Sequence, residues 1–411
     1  MKDGPAPGHR VVVTGIGAVS GWGWGADELW RGLAGGAAAI GVPARFDTRR
    51  HRTRLAAEVP PSPNGLAASV PGWRRLSRAD RFAVAAAMEA CRQAGLEGDD
   101  ARGFDLGVFF GGSTAGMAEC ERFFHGLTER RRARISLLVS HPLNAPGDAV
   151  ARLVGARGPV QSLSSACASG ALAIGAALDA LRDGDVAMAV AGGADSLCHL
   201  TFAGFNSLRI VDAEHCRPFR RQRQGLNLGE GAGVLVLETL EHARRRGARP
   251  LAELLGAGAS CDAHHMTAPH PQGAGAALAL RSALGDAGVA AGDVGFVNAH
   301  GTGTPQNDAA EWRAIEQVFG ERARRIPVTA TKGAVGHLLG SSGAIEAVAT
   351  VQCLAAGAAH AAPGDGGADE DLGVDLVVGG ARPLAPDCVA VSTSFGFGGA
   401  NAVLVLRGWP R

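Results

Sequence analysis

Tyrosine is absent from this sequence, and lysine occurs only at Lys2 and Lys332, although lysine and arginine together number 40. Alanine and glycine are abundant, which indicates a drift towards arginine, alanine and glycine, as in a GC-rich genome. Lys332 stands out against this background, because an ammonium is compact and changes its pKa on burial in a way that arginine cannot. We therefore treat Lys332 as a candidate functional residue.

A strong net charge and long apolar runs are also lacking. The net charge of +1 at pH 7 gives no argument for a nucleic-acid or membrane partner. No uninterrupted apolar run approaches the length of a membrane span, and the first residues lack the apolar segment of a signal peptide. The eight cysteines are scattered without a C-x-x-C pair, which argues against zinc and predicts reduced thiols in a cytoplasmic protein.

The chain length predicts a duplicated or two-domain architecture, because 411 residues exceed one small core. Strand-like apolar runs alternate with helical patterns in both halves, which predicts an α/β fold with helix-covered sheets. We expect a loose tail over residues 1–10, a first half over 11–250 and a second over 251–411. The strand at Val11–Thr14 is expected to end in a packing turn, since the G-x-G-x-x-G spacing of a dinucleotide loop fails at Ser20.

Cys167 lies in the stretch VQSLSSACASG over 160–170, where a β-type run ends in small residues and a helical pattern begins at Ala171. The positive end of a helix favours thiolate over thiol, and small neighbouring residues leave room for a substrate. This position predicts a nucleophile. The alternative is that Cys167 is a buried small hydrophobe, as most free cysteines are.

Three later stretches have a similar character. His300 lies in VNAHGTGTPQND and His337 in TKGAVGHLLG, each on a glycine-bracketed turn after a strand. Phe395 and Phe397 lie in SFGFGGAN, where glycines make a packing role for aromatic rings hard to explain. One cysteine with two histidines predicts a nucleophile and two hydrogen-bond donors or bases. The same residues could bind a metal, but catalytic zinc favours ligands on a local spacing, and none is present.

The runs SSACASGALAIGAA, VNAHGTGTPQND, TKGAVGHLLGSSGAIEA and SFGFGGAN resemble the elongating β-ketoacyl-[acyl-carrier-protein] synthases. This family includes bacterial fatty-acid condensing enzymes and their type II polyketide relatives, and the resemblance extends over nearly the whole chain. It implies a thiolase-like fold, with two similar halves stacked in α-β-α-β-α layers. It also implies decarboxylative condensation of a cysteine-bound acyl chain with malonyl carrier protein, without a metal or redox cofactor.

The resemblance also implies roles for individual residues. Cys167 corresponds to the nucleophile that accepts the acyl chain, and His300 and His337 to the pair that binds the malonyl thioester carbonyl. Lys332 corresponds to the lysine that supports this pair. Phe397 corresponds to the gating residue whose N–H forms an oxyanion hole with that of Cys167.

Further residues are implied to support the reaction or to bind its substrate. The acidic partners near the lysine are Glu311 and Glu346, and Phe395 lies beside the gate. Hydroxyls near the phosphopantetheine arm and substrate tunnel belong to Thr302, Thr304 and Thr267.

Partners are implied as well. The family acts on an acyl carrier protein and forms dimers, here either a homodimer or a heterodimer with a chain-length-factor-like subunit. Similar enzymes meet the acidic carrier through basic positions, which would speed encounter; the alternative is an ordinary solvated face. The basic positions in this chain are Arg74, Arg75, Arg78, Arg132 and Arg134.

One segment departs from the family pattern R-P-F-D-x-x-R-D-G-F. It reads RPFRRQRQGL over 217–226, so Arg220 and Gln224 replace aspartates and the local ion pairs are expected to differ. The LNLGE that follows is more typical of synthases from specialised polyene pathways, which favours a type II polyketide role.

Other family members fit less well. A degradative thiolase uses a second catalytic cysteine, whereas the late motif here contains Phe395 and Phe397. A starter-type synthase has asparagine where His337 stands, and a non-catalytic chain-length factor lacks the nucleophile. Housekeeping fatty-acid elongation remains an alternative to the polyketide role.

Overall fold

The computed structural model describes residues 10–96, 106–129, 133–364 and 366–410. Its strands are β1 Val11–Ser20, β2 Gly23–Trp24, β3 Ala56–Ala57, β4 Leu106–Gly111, β5 Val160–Leu163, β6 Met188–Asp195, β7 Leu228–Gly229, β8 Gly231–Thr239, β9 Ala252–Cys261, β10 Val294–Asn298, β11 Val328–Thr329, β12 Ala358–Ala359, β13 Arg382–Pro383, β14 Val389–Phe395 and β15 Ala400–Gly408. Its helices are α1 Ala26–Ala34, α2 Leu66–Ser69, α3 Arg78–Gln93, α4 Met117–Thr128, α5 Ala145–Val154, α6 Ser169–Asp183, α7 His199–Ser207, α8 Leu240–Arg245, α9 Ala274–Ala287, α10 Pro305–Phe319, α11 Lys332–Val335 and α12 Ser342–Ala356.

The main sheet contains the same strand pattern twice. One set runs β5-β4-β6-β8-β1 and the other β11-β10-β14-β15-β9, and the two join where β1 pairs with β9. In each set the first three strands are parallel, and the last two are antiparallel to their neighbours. The second set begins at Ala252, and the predicted boundary at residue 250 stays a prediction.

Helices arrange the two sets into five layers. Helices α3 and α5 cover the outer face of the first set, and α9 and α10 lie on the outside of the second. Between the sets lie α6 and α12, which pack against each other and against strands of both. This is the thiolase-like α-β-α-β-α arrangement that the sequence predicts.

The predicted packing turn after Val11–Thr14 is wrong, because β1 continues without a break to Ser20. Its glycines instead allow helix α3 to lie directly on the strand. A Cβ atom added to Gly15 would lie 2.0 Å from the carbonyl oxygen of Ala90, and one on Gly17 would lie 1.9 Å from that of Ala86. The glycine spacing therefore indicates close helix–strand contact.

The apolar run over 374–378 reads as a strand in the sequence, but it does not form one. Among the described residues this segment contributes only an isolated bridge between Leu376 and Val328. Of the predicted tail over residues 1–10, all but Arg10 lie outside the described residues.

One helical segment in the described chain has the length and composition to cross a membrane. It runs from Leu339 to Ala356 with a mean hydropathy of 1.2, and 89% of it is buried inside the protein. Its apolar side chains belong to the core between the two sheet sets, so its hydropathy reflects its place in the middle layer.

Candidate active site

A cavity of about 540 Å³ lies where the ends of strands from both sets meet. Cys167 from the first half and His300 and His337 from the second half all line it. Ligands of open α/β sheets collect at such strand ends. The three residues that the sequence singles out therefore share one chamber.

The turn that presents Cys167 is held by the first residue of α6. The Ser169 hydroxyl donates to the carbonyl of Ala166 at 2.6 Å and accepts from the N–H of Ser165 at 2.8 Å. Ala166 adopts a left-handed conformation with a φ of 46°, which costs an alanine free energy and is typical of functional sites. The strained turn places Cys167 at the mouth of α6, facing the cavity.

Burial dominates the electrostatics of this thiol. It raises the pKa of Cys167 to about 11, although nearby Lys332 and the N–H of Phe397 favour the thiolate. The helix end favours the thiolate, as the sequence indicates, but burial acts more strongly in the opposite direction. The resting residue is a neutral thiol, and its proton must leave when it attacks a substrate.

His300 is fixed through its backbone. Its N–H donates to Glu311 of α10 and to the hydroxyl of Thr393 on β14, both at 2.8 Å. Thr393 in turn donates to the same Glu311 carboxyl at 2.7 Å. Burial raises the pKa of Glu311 to about 7, against the effect of these hydrogen bonds.

Lys332 is buried, with 1% of its side chain exposed, and lies behind His300. Its ammonium donates to Nδ1 of His300 at 2.9 Å and to the His300 carbonyl at 2.7 Å. It also forms an ion pair with Glu346 of the middle helix α12. Burial raises the pKa of Glu346 to about 7, while Lys332 opposes that rise.

The contacts of the two imidazoles define their tautomers. An ammonium can only donate, so Nδ1 of His300 accepts from Lys332 and the ring proton lies on Nε2. Likewise, the N–H of Leu339 donates to Nδ1 of His337 at 2.9 Å, which leaves the proton on Nε2 of that ring. The rings lie 5.6 Å apart and nearly perpendicular, so the site contains two Nε2–H donors.

Both imidazoles are neutral. Burial lowers the pKa of His300 well below its ordinary value, and the charge of Lys332 adds to this shift. The same two causes lower the pKa of His337. The site therefore offers hydrogen-bond donors without buried positive charge on the rings.

Phe397 lies on the turn between β14 and β15, and its backbone N–H lowers the pKa of Cys167 and so favours the thiolate. The two backbones are in contact, since a Cβ atom added to Gly396 would lie 3.1 Å from the Cys167 nitrogen. The Phe395 ring also lines the cavity, 5.8 Å from the His300 ring. Two N–H groups near one sulfur can bind an oxyanion.

The hydroxyl residues that the resemblance implies also line this cavity. Thr302 and Thr304 flank the turn at the start of α10, with their hydroxyl oxygens 2.8 Å apart. Thr267 lines the cavity beside His265. All three therefore face the space that Cys167 faces.

The arginines that were predicted to bind the carrier protein differ in their surroundings. Arg74, Arg75 and Arg134 are exposed around a surface depression of about 650 Å³ that shares no lining residue with the cavity. Arg78 differs from them, because its guanidinium forms an ion pair with the fully buried Glu230 and supports the fold, and carrier binding by Arg78 stays a prediction. Arg132 lies outside the described residues.

Two residues that contribute to the site are not among those that the sequence predicts. Phe205, near the end of α7, lines the cavity and stacks on Phe397 with ring centroids 5.7 Å apart. Asp195 is fully buried and accepts N–H bonds from Thr114 and Gly340 at 2.7 Å, which ties the two halves together near His337. The sequence around Phe205 does not mark it as functional, because α7 has an ordinary helical pattern. Asp195 follows Gly-Gly-Ala at the end of a strand, and this position could have identified it as a site residue.

Two family models match the chain in succession. The model of the β-ketoacyl synthase N-terminal domain matches residues 8–243, and that of the C-terminal domain matches residues 251–363. A 3-oxoacyl-[acyl-carrier-protein] synthase 2 of Synechocystis is 38% identical over 407 residues, 97% of this chain and 98% of the relative. The enzyme of that name from Staphylococcus aureus is 36% identical over 411 residues, 97% of this chain and 98% of its own length.

Solved structures agree with the sequence relatives. The ishigamide ketosynthase/chain length factor is similar with a TM-score of 0.91 and 35% identity, over 98% of this chain and 99% of that one. A type II polyketide ketosynthase bound to a hexaketide and in complex with its acyl-carrier protein has a TM-score of 0.88 and 29% identity, over 98% and 100%. A β-ketoacyl synthase from Burkholderia phymatum has a TM-score of 0.88 and 33% identity, over 98% and 100%.

Proposed function

The chain belongs to the β-ketoacyl synthase family of condensing acyltransferases, and we propose that it acts in a type II polyketide or polyene pathway. In this role it extends acyl chains that are bound to a carrier protein. The observation that carries the chemistry is the single cavity lined by Cys167, His300 and His337. The likeness to the ishigamide ketosynthase and the LNLGE segment support the pathway.

The first step in this proposal is transfer of the acyl chain to Cys167. The sulfur attacks the acyl thioester, and the N–H groups of Cys167 and Phe397 stabilise the tetrahedral oxyanion. Both imidazole Nε2 atoms already hold protons, so the thiol proton passes to the departing thiolate of the carrier arm. The products are acyl-Cys167 and the free carrier thiol.

The second step joins the malonyl unit to this chain. Nε2–H groups of His300 and His337 donate to the malonyl thioester oxygen, which becomes an enolate oxygen as CO₂ leaves. The enolate carbon attacks the acyl-Cys167 carbonyl, the Cys167 thiolate departs, and it takes a proton from water. The reaction yields β-ketoacyl carrier protein and needs neither metal nor redox cofactor.

A product analysis tests the pathway. The protein, alone and with a chain-length-factor-like subunit, is supplied with malonyl carrier protein and acyl carrier proteins of graded length and unsaturation. Preference for unsaturated or unreduced β-ketoacyl chains supports the polyketide role. Equal or better use of saturated chains would instead place it in housekeeping fatty-acid elongation, as its 3-oxoacyl-[acyl-carrier-protein] synthase 2 relatives suggest.

A non-catalytic role as a chain-length factor is the alternative of another class. Such a subunit lacks the nucleophile, whereas here Cys167, His300, His337 and Lys332 lie together in one site. This arrangement favours the catalytic subunit.

We propose a second thiolase-like chain as partner. Strand β5 lies at the edge of the sheet, and Val160 on it is 43% exposed. Exposed large apolar side chains also occur on and near α4, at Phe124, Leu127, Ile135, Val139 and Leu143. Unpaired strand edges and apolar patches mark association surfaces, so we expect a dimer by native mass spectrometry.

All eight cysteines are free, which fits a cytoplasmic protein.

The Lys332→Arg variant should lose malonyl decarboxylation by about 10²-fold, even though it keeps the positive charge. The three acceptors around Nζ surround a compact ammonium in a closed pocket, so a planar guanidinium would displace His300. Release of CO₂ from malonyl carrier protein measures the loss, and acyl transfer to Cys167 serves as the control. A fully active variant would mean that the lysine is incidental.

Charge reversal at Arg74 and Arg134 should raise KM for the carrier substrate about tenfold, because exposed charges chiefly affect encounter with an acidic partner. Turnover of a malonyl ethyl thioester, which has no carrier, should not change. The matched control is Arg325→Glu, an exposed arginine elsewhere on the surface. Equal losses on both substrates would exclude this surface as the carrier site.

A further inference from the structure

The segment over 217–225 carries four arginines and no acid. Arg217 pairs with the nearby Asp212 and Glu214. The other three arginines contact the distant stretches over 362–364 and 369–371. The Arg220 guanidinium, nearly fully buried, donates to the carbonyls of Ala362, Pro363 and Gly364 at 3.1, 3.2 and 2.9 Å. Arg221 and Arg223 face acids from this distant part of the chain, at Asp369, Glu370 and Asp371.

Arg223 and Asp369 form the main contact between the two stretches. Nη1 of Arg223 lies 2.5 Å from the Asp369 carboxylate, and the two side chains are only 10% and 9% exposed. The N–H of Asp369 also donates to the carbonyl of Phe219 at 2.8 Å. Little-exposed ion pairs with additional hydrogen bonds fix geometry more firmly than surface pairs do.

The arginine segment in turn packs on the turn that carries Thr302 and Thr304. A Cβ atom added to Gly303 would lie 2.7 Å from the Gly225 carbonyl oxygen, and one on Gly301 would lie 3.0 Å from the Phe219 ring. The backbones of the segment and the turn are therefore in direct contact.

Asp308 completes the connection. Its carboxylate accepts from the N–H of Phe219 at 2.8 Å and from that of Gly303 at 3.1 Å. Arg223 lies 3.9 Å from this same buried carboxylate. Arg223 thus faces both Asp369 and Asp308, and Asp308 lies in the first turn of α10.

We propose that the Arg223–Asp369 ion pair positions the phosphopantetheine arm of the carrier substrate. The pair holds the segment over 217–225, which in turn holds the Thr302–Thr304 turn in place. The inference rests on the proposed function, because it takes those two hydroxyls as contacts of the arm. Neither residue of the pair lines the cavity, although Gln224 beside Arg223 does, so the pair acts on substrate binding through the segment and the turn that it holds.

The test compares Arg223→Gln and Asp369→Asn with the parent on two malonyl donors. Each variant should raise KM for malonyl carrier protein about tenfold, near the effect of one lost hydrogen bond, and leave kcat within about twofold. With a malonyl ethyl thioester, which lacks the arm, KM should be unchanged. The reciprocal double variant, Arg223→Asp with Asp369→Arg, should recover most of the affinity for the carrier substrate.

Arg221→Gln is the matched control. Arg221 is the neighbouring arginine, 63% exposed, and lies no closer than 3.6 Å to the acids of the same loop, so its loss should change little. Thermal unfolding identifies any variant that does not fold. If Arg223→Gln does not fold, the milder Asp369→Asn variant provides the test. A parent-like KM in the folded single variants, or equal losses on both donors, would overturn the inference while leaving condensation by the parent intact. An inactive parent would overturn the proposed function as well.

Discussion

The Cys167→Ala variant is expected to lose condensation by on the order of 10⁴-fold or more, because no other group can carry the acyl chain. Among the described residues, Cys167 is the one cysteine that lines the cavity. No covalent acyl adduct should form when the variant is incubated with acyl carrier protein. Intact-protein mass and the yield of β-ketoacyl product measure the two losses.

The same variant should keep its ability to release CO₂ from malonyl carrier protein. In the proposed mechanism the enolate oxygen is bound by donors on His300 and His337, and neither ring depends on the sulfur for its hydrogen bonds. This separation of half-reactions distinguishes loss of the nucleophile from misfolding. Cys261→Ala, at an exposed cysteine, is the matched control and should behave as the parent. Retained condensation in Cys167→Ala would contradict the nucleophile assignment.

The His300→Ala variant should show the opposite pattern. Loss of one enolate donor is expected to slow CO₂ release by about 10²–10³-fold. Acyl transfer to Cys167 should continue, since its oxyanion is bound by the N–H groups of Cys167 and Phe397. Kinetics of CO₂ release and of acyl-enzyme formation, measured separately, check the two parts.

His337→Ala should reproduce the His300→Ala pattern, because the two Nε2–H groups act on the same oxygen. His125→Ala is the control, since His125 lies exposed on α4. Unchanged CO₂ release in His300→Ala would remove this imidazole from the mechanism. A parallel loss of acyl transfer would instead indicate that the substitution disturbs the whole cavity.

The residues of the site could be predicted from the sequence because each lies in a short local pattern. Cys167, His300 and His337 all follow strand-like runs and are bracketed by small residues. Parallel strands within each half bring such ends to one edge. That the edges of the two halves meet at one cavity was implied by the family resemblance and is seen in the fold. The rarity of lysine pointed to Lys332, which proves to contact His300 directly.

What could not be predicted depends on partners far away in the chain. Arg78 belongs to a basic run, but only the fold shows that buried Glu230 neutralises it. The glycines of β1 resemble a turn until α3 is placed against them. The thiol of Cys167 lies at a helix end, yet its pKa is set chiefly by burial, which the sequence does not give.

The central claim is that one cavity carries an acyl chain on Cys167 while two imidazoles generate the malonyl enolate beside it. The most direct measurement mixes the protein with an isotopically labelled acyl carrier protein, maps the adduct by peptide mass, and then adds malonyl carrier protein. The account predicts label on the Cys167 peptide, followed by its complete transfer to a carrier-bound β-ketoacyl chain with release of CO₂. Label on another peptide, or label on Cys167 that malonyl carrier protein cannot discharge, would contradict it.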